Sequence, residues 1–426
     1  MKPLLLSEHP RIFRVAGSRT IAWMPDPLRT CDFVVIGAGI LGLSVARELL
    51  TRHPDADLCV LEREDRLAAH QTSHSSGVVH AGIYYAPGSL KARLCVEGAR
   101  LLYAYCDERG IEARRNGKLI VAAGEGELAR LDELERRGRA NEVPGLRRIG
   151  PDEIREIEPH ARGFTALHSP QTGVVDFAEI AAALAADVAA AGGTVALGVG
   201  VRRLNPARRG VTVEHQRGTT EAGLVLSCAG AWSDRLAVAA GAPKEPRIVP
   251  FRGGYLRLRP ERRELVRGSI FPVPDPELPF LGGHLTKGID GEVLLGPSAL
   301  MVGARDAYRL TRVRPRDLAE NLAWPGTWRL VRRFWRNGII ELRHAASKRA
   351  FIDDLRRFVP ELDLHDLLPG QSGIRAQALG RDGRLVDDFV IHRTDHALHI
   401  RNAPSPAATS SLALAQLIVD DALASA

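Results

Sequence analysis

One contiguous stretch near the start of this chain constrains its fold more than any other feature. Asp32-Phe33-Val34-Val35-Ile36 is a short apolar run that passes directly into Gly37-Ala38-Gly39-Ile40-Leu41-Gly42. Such a run predicts a strand buried on both faces, as in a parallel sheet. Residues 43–50 then read as a helix with Ala46, Leu49 and Leu50 on one side, and Leu58-Cys59-Val60-Leu61 reads as a second buried strand ending in Glu62. Together they make a βαβ unit. Gly37, Gly39 and Gly42 give G-x-G-x-x-G spacing between strand and helix. The first glycine permits a tight turn, the second lets the backbone approach a pyrophosphate, and the third lets helix and strand pack closely. Ile40 and Leu41 open the helix, whose free N–H groups and positive end attract phosphate. Glu62, 20 residues beyond Gly42, can accept hydrogen bonds from a ribose diol and would repel the 2′-phosphate of NADP. The stretch predicts a dinucleotide site. It does not by itself separate FAD from NAD.

Downstream, residues 70–77 are too rich in Ser and Gly for helix or strand, and residues 90–109 read as a helix. Asp176 opens another helix with a capping-box pattern to Glu179. Residues 194–199 and 224–228 read as strands, the second running into Ala229-Gly230-Ala231-Trp232. Beyond Pro246 the character changes. Residues 252–258 and 292–295 are strand-like, separated by Pro/Gly loops over 272–279, and residues 328–358 are helical and arginine-rich. Glycines return from Gly370, and a helix closes the chain over about 409–423. This order predicts a nucleotide domain in three segments, 31–110, 171–245 and 370–426. A second domain, 111–170 with 246–369, is inserted between them. Residues 1–30 form an N-terminal extension, expected to be a disordered or loosely docked tail, with Met24 as an alternative start.

Composition narrows the function. With 426 residues, 45% hydrophobic and 26% charged, the chain has a globular balance and enough apolar residues for a sizeable core. A net charge of +7 suits an anionic cofactor, an acidic substrate or an anionic membrane surface, and equally an arginine-rich background. Aromatic residues are 5% and no nucleic-acid module is recognisable, so no nucleic-acid partner is expected. The five cysteines include no C-x-x-C pair. Neither a disulfide framework nor a metal site is expected, and a reducing compartment fits. No apolar run approaches the ~18 residues of a membrane span, and residues 1–30 lack a secretory apolar region. Arg329, Arg332, Arg333 and Arg336 alternate with Trp328, Val331, Phe334 and Trp335. A basic amphipathic helix can lie on anionic lipid; a solvated face over a core is the plainer reading. The expectation is a cytoplasmic protein with a peripheral contact to the inner membrane.

Four longer strings carry a family resemblance. They are Thr72-Ser73-His74-Ser75-Ser76-Gly77-Val78-Val79-His80-Ala81-Gly82-Ile83-Tyr84-Tyr85, then Phe251-Arg252-Gly253-Gly254-Tyr255, then Pro272-Val273-Pro274 with Pro279-Phe280-Leu281-Gly282, and last Asn402-Ala403-Pro404-Ser405-Pro406-Ala407-Ala408-Thr409-Ser410-Ser411. Over about 31–422 the chain resembles the L-2-hydroxyglutarate oxidase/dehydrogenase family, part of the D-amino-acid-oxidase-like group of FAD enzymes. The residues at Gly283 and Lys287-Gly288 depart from that family's usual ones. The resemblance implies an α/β fold: a Rossmann-like FAD domain with an inserted substrate domain of antiparallel sheet and helices. It also implies FAD as cofactor and oxidation of L-2-hydroxyglutarate to 2-oxoglutarate, with the C2 hydride passing to flavin N5. An electron acceptor is required, and oxygen, a quinone and a carrier protein are all open. Two other readings stand beside this one: an oxidase of a small amino or imino acid on the same fold, and a flavin-binding module without turnover.

Within that frame each candidate residue has a role. Glu62 and Arg63 would face the ribose and adenine end. Thr72, Ser73, Ser75, Ser76, Gly77 and Val78 offer hydroxyl and N–H groups to the phosphates or ribityl chain. Ala229, Gly230 and Trp232 follow a buried strand and would also meet the cofactor. So would Ser405, Ala407, Thr409 and Ser410 at the start of the last helix, whose positive end would favour charge on the reduced flavin. Three roles are open to His80: general base, covalent flavin attachment, or a structural hydrogen bond. His284 is a second histidine candidate. Arg252 and Tyr255 fall on opposite faces of a strand unless Gly253-Gly254 makes a bulge. Arg375, in a stretch similar to the G-x-R-P of glycine-oxidase-like enzymes with Ala376 in place of the proline, is expected to clamp the C1 carboxylate. Arg252 is expected to meet the distal one, with Lys91 and His284 as alternatives.

Overall fold

The structure is a computed structural model, and it describes residues 28–207, 210–276 and 281–424. Residues 1–27 of the extension, and Pro279-Phe280 from one of the family strings, lie outside these residues. Among the described residues, the Leu28–Ile36 strand runs through the middle of an eight-stranded sheet, parallel to Leu58–Leu61 on one side and Gly218–Ser227 on the other. Thr194–Ala196 extends the parallel array beyond Leu58–Leu61, and Ala397–Asn402 joins the far side of Gly218–Ser227. Val34 and Val35, on opposite faces of the central strand, are both fully buried, as a strand covered on both sides requires. The Ile40–Arg52, Phe177–Ala190 and Ser411–Leu423 helices share one core against this sheet. Asp176 caps its helix by accepting from the N–H of Ala178.

A second sheet, of nine strands among the described residues, forms the other half of the molecule. It is mostly antiparallel, but Ser269–Pro272 runs parallel to Lys118–Ala122, so the expected all-antiparallel sheet is mixed. The Arg247–Leu258 and Leu367–Leu379 strands pair along nearly their whole length. The segment beginning at 370, which its glycines assign to the nucleotide domain, therefore starts inside the second sheet; the chain rejoins the first only at Val390–Thr394. Those glycines answer a different need. A Cβ on Gly373 would stand 2.5 Å from the His74 carbonyl oxygen, and one on Gly370 would stand 2.8 Å from that of Tyr255. The strand must pass this close to the 70–77 loop, and that contact brings the second sheet over the first.

The arginine-rich segment forms two helices, Pro325–Ala346, kinked at Phe334, and Lys348–Leu355. Buried ion pairs tie this side to the nucleotide domain. Arg305, 1% exposed, pairs with Asp234, and Arg235 reaches Glu320 at 2.7 Å.

Candidate active site

A cavity of about 1210 Å³ runs from the glycine turn into the seam between the two sheets. Its first half is backbone. Gly37 adopts φ +104°, and a Cβ on Gly42 would stand 2.0 Å from the Gly37 carbonyl oxygen. A Cβ on Gly39 meets only Thr72 Oγ1, at 3.3 Å. Two of the three glycines are thus demanded by the protein itself, while Gly39 keeps a space open. Thr72 Oγ1 accepts from the N–H of Ile40 at 3.1 Å, holding the loop to the helix start. Leu41 and Gly42 follow in the first turn, where N–H groups have no intrahelical acceptor. The buried Glu62 carboxylate accepts from the N–H of Ala38 at 2.8 Å and of Glu64 at 2.9 Å. It is thereby fixed at the cavity wall with lone pairs left for a diol. Arg63 lies over the Trp232 ring at 3.5 Å, which gives the cavity a flat edge beside Ala229 and Gly230.

Not every expected cofactor residue faces this space. Thr72, Ser75, Ser76, Val78, Ser405, Ala407 and Thr409 line it; Ser73, Gly77 and Ser410 do not. Ser73 Oγ donates back to the Ala68 carbonyl at 2.7 Å. Gly77 has φ +75° and packs where a Cβ would stand 2.7 Å from the Val175 oxygen. Ser410 lies under Gly98, whose Cβ would approach its Cα to 2.5 Å. These three shape the loops that others line.

The second half of the cavity is built from side chains on separate elements. His80, Tyr84 and Tyr85 come from the loop after the short Val78–Val79 strand, Tyr255 from Arg247–Leu258, His284 from His284–Lys287, and Arg375 from Leu367–Leu379. The pairing of the last strand with Arg247–Leu258 shifts register between Gly254 and Leu256. That bulge turns Tyr255 into the cavity, where its hydroxyl bonds Ser76. Arg252 goes the other way. Its Nε donates to the Tyr308 carbonyl at 3.0 Å, an oxygen that also accepts from Ser372 Oγ at 2.6 Å. It does not line the cavity, so the expectation that it meets the distal carboxylate does not hold in this arrangement.

Burial sets the charge states. His284 stacks on Phe271 at 3.8 Å, and burial, with Lys118 and Arg375 nearby, pushes its pKa down to about 3. Its Nδ1 meets the Gly282 carbonyl oxygen at 3.1 Å. A carbonyl can only accept, so Nδ1 carries the proton and Nε2 is left as a lone pair. His80 is likewise held well below its usual range, by burial first and then by Lys118, His284 and Lys91. Its backbone N–H donates to Thr409 Oγ1 at 3.1 Å, and its buried Nδ1 has no partner among the described residues. Arg375 lies deep in the protein but keeps surface toward the cavity; burial lowers its pKa, and Tyr255 and Glu341 partly oppose that. Two residues go unread in the sequence. Lys118 is a buried lysine whose only signal is a charge opening an apolar strand, Lys118–Ala122. Phe271 carries His284 on its face.

Comparisons with known proteins give the family and the fold. The family model for FAD dependent oxidoreductases (DAO) covers residues 32–421. The mitochondrial L-2-hydroxyglutarate dehydrogenase of Nematostella vectensis is 45% identical over 93% of this chain and 91% of its own length. The chain belongs to the L-2-hydroxyglutarate dehydrogenase family. The human mitochondrial enzyme is 43% identical over 92% of this chain and 88% of its own. The Escherichia coli enzyme is 41% identical over 91% and 92%. Among solved structures, the FAD-bound L-alpha-glycerophosphate oxidase of Mycoplasma pneumoniae superposes with TM-score 0.76 at 20% identity, over 92% of this chain and 95% of that one. Glycine oxidase of Geobacillus kaustophilus gives 0.65, also at 20% identity, over 92% and 94%. These two share the fold. The cofactor of the family is FAD, and the residues present fit it. Gly39 keeps space for a pyrophosphate, Glu62 is anchored for a ribose, and the cavity is long enough to continue past them to His80 and Arg375.

Proposed function

We propose that this protein is an FAD-dependent dehydrogenase that oxidises L-2-hydroxyglutarate to 2-oxoglutarate. The observation that carries the reading is the far end of the cavity, where a deep arginine, Arg375, stands with two neutral histidines, His80 and His284. Membership of the family supports the choice of substrate. Arg375 grips the C1 carboxylate through its planar fork, which fixes the direction of the C2 hydrogen. His284 Nε2, with its tautomer set by Gly282, takes the hydroxyl proton. Bound carboxylates offset the cations that depress its pKa and so make it a stronger base. His80 lines the same wall and orders it through Thr409. FAD, which Gly39, Glu62 and Thr72 would hold at the other end of the cavity, would supply the acceptor for the C2 hydride, and its electrons would pass to an external acceptor. Tyr84, Tyr85 and Phe271 keep this end apolar and shed water from the reacting groups.

The test is anaerobic bleaching of the yellow holoenzyme with a panel of acids. L-2-hydroxyglutarate should bleach it at concentrations where the D-isomer, glycine and proline do not. Bleaching by an amino or imino acid alone would move the protein to the other oxidase reading.

We also propose that the Pro325–Ala346 helix meets an anionic membrane surface. No helix among the described residues is long and apolar enough to cross a membrane. Trp328, Trp335, Ile339 and Leu342 are 54–59% exposed, and their spacing places them along one side of the helix. Arg329, Arg332, Arg333 and Arg336 flank them. Exposed aromatic and aliphatic residues beside arginines favour a lipid interface over plain solvent. The wild type should sediment with anionic vesicles at low salt, and replacing Arg332, Arg333 and Arg336 by Glu should abolish this. A wild type that stays in solution refutes the contact.

A further inference from the structure

Lys118 sits where a lysine is costly. It is 1% exposed, at the start of a strand whose other four residues are all buried. Its ammonium lies 4.1 Å from the centroid of the Phe271 ring and 5.3 Å from that of Tyr84. Phe271 stacks on His284. Among the charges acting on His80, that of Lys118 is the strongest, and His284 feels it too. One ammonium therefore stands against the aromatic wall that carries His284, within electrostatic reach of both histidines. The acids that line the cavity are engaged elsewhere. Asp387 pairs with Lys91 and Asp275 with Arg130; Glu133 pairs with Arg136 and Arg137, and Glu62 is held by backbone N–H groups. An apolar side chain of similar volume would fill the Lys118 position at lower cost, because a buried charge needs compensation. A bound anion supplies it. Arg375 accounts for one carboxylate, and Arg252 is turned away toward Tyr308.

We propose that Lys118 sets the preference of this site for a doubly charged acid, its ammonium supplying the positive field that holds the carboxylate remote from C2. It acts through space and across the Phe271 and Tyr84 rings, as a positioning residue. This inference rests on the dehydrogenase reading for the identity of the diacid, but not for the existence of the field. Burial lowers the pKa of Lys118 to about 7. The groups that face it from neighbouring elements are His80 and Tyr84 on the loop, Cys95 on the Leu90–Arg109 helix, and His284; Lys91, Tyr255 and Arg375 lie beyond them, around the same histidines and the same cavity. The histidines are held far below neutrality, Cys95 is pushed up to about 12, and Tyr84 and Tyr255 are raised. Lys91 is paired with Asp387. Loss of the Lys118 charge should therefore be visible between pH 6.5 and 9.

The experiment uses the FAD-loaded protein and two five-carbon acids that cannot be oxidised at C2, glutarate and pentanoate, titrated by their effect on the flavin spectrum. In the wild type the preference for glutarate should fall by about tenfold or more between pH 6.5 and 9, as the lysine loses its proton. Lys118→Met should lose that preference already at pH 6.5 and show no further change with pH, while Lys118→Arg should keep it at both. With L-2-hydroxyglutarate, Lys118→Met should raise KM far more than it lowers kcat. A glutarate preference unchanged in Lys118→Met overturns the proposal. If that variant does not retain FAD, the wild-type series decides: a preference independent of pH overturns it. Failure of the wild type to turn over L-2-hydroxyglutarate would instead remove the parent reading, while the glutarate–pentanoate comparison still reports on Lys118.

Discussion

The two ends of the cavity are made differently. The nucleotide end is mostly backbone from one continuous stretch: Gly37, Gly39, Gly42 and the start of the Ile40–Arg52 helix, with Glu62 and Thr72 locking it. The catalytic end is side chains from four separate places, His80, Tyr255, His284 and Arg375, with Lys118 behind them, and they meet only because two sheets close on each other. Backbone geometry tolerates no added atom but is indifferent to charge. Side-chain geometry tolerates volume better and fails when a charge or a proton is wrong. Substitutions at the two ends should therefore fail in different ways, and the largest effects belong to the glycines.

Gly42→Val places a Cβ 2.0 Å from the Gly37 oxygen, a clash that only movement of the strand or helix relieves, so this variant should not fold to a stable protein. Gly39→Val meets only the Thr72 hydroxyl. It should fold, give a circular dichroism spectrum like that of the wild type, and emerge colourless, with FAD affinity reduced by more than about 100-fold. A yellow Gly39→Val protein would show that the pyrophosphate passes elsewhere. Equal behaviour of the two variants would erase the distinction between a glycine needed by the fold and one needed by the ligand.

At the catalytic end, Arg375→Lys keeps the charge and loses the fork. The nucleotide end is untouched, so FAD should stay bound. Losing a bidentate clamp in a closed site costs on the order of 2–5 kcal/mol of transition-state binding. That is roughly a 30- to several-thousand-fold fall in kcat/KM. Near-wild-type efficiency would place the C1 carboxylate on another group.

The pH dependence of stability sets a core histidine of the nucleotide domain against one at the catalytic end. His399, fully buried in the nucleotide domain, has its pKa lowered to about 4, and His284 to about 3, both chiefly by burial. A histidine depressed in the folded state lets the unfolded chain take the proton first. Its contribution is therefore fully present above the unfolded value of about 6.5 and is lost as pH falls toward the folded one. Each should weaken the fold by up to about 1.4 kcal/mol per pH unit in that window. His399→Leu and His284→Leu should each flatten the loss measured by denaturant unfolding between pH 6.5 and 4.5. Saturating glutarate should reduce the His284 share alone, because an anion in the pocket offsets the protonated ring. Equal protection of both would mean that glutarate acts on the whole fold.

What the sequence discloses divides along the same line. The glycine turn, the acid at Glu62 and the Leu90–Arg109 helix are legible because local spacing dictates them. The pocket is legible only in part. His80, Tyr255 and Arg375 stand out through motif strings and His284 as a histidine just past one, but nothing local says that a bulge at Gly254 turns Tyr255 inward while Arg252 is drawn to Tyr308. Lys118 hides in an apolar strand because its partners, Phe271 and His80, are distant in sequence. Ser73, Gly77 and Ser410 look like ligand contacts because small polar residues serve loop closure and phosphate binding equally well. The glycines from 370 look like a return to the nucleotide domain, yet Gly370 serves a close approach to the Tyr255 backbone on the neighbouring strand and Gly373 a close crossing over the 70–77 loop.

The smallest effect tests whether the nucleotide end depends on side chains at all. Thr72 Oγ1 accepts from the Ile40 N–H, a bond that stands in for a helix cap, since Gly39 has no side chain to make one. Thr72→Val keeps the shape and removes the acceptor. Losing a capping oxygen costs about 1 kcal/mol, so in the flavin-free protein the thermal midpoint should fall by about 1–3 °C. With FAD bound, the pyrophosphate lies at the same helix end, and the freed N–H gains an alternative acceptor. The loss of stability should therefore be smaller in the yellow protein than in the colourless one, and FAD affinity should change by less than about tenfold. Thermal unfolding of both forms and a flavin titration would decide it. A Thr72→Val protein that loses FAD as completely as Gly39→Val would make the hydroxyl, not the backbone, the main contact with the cofactor at this end.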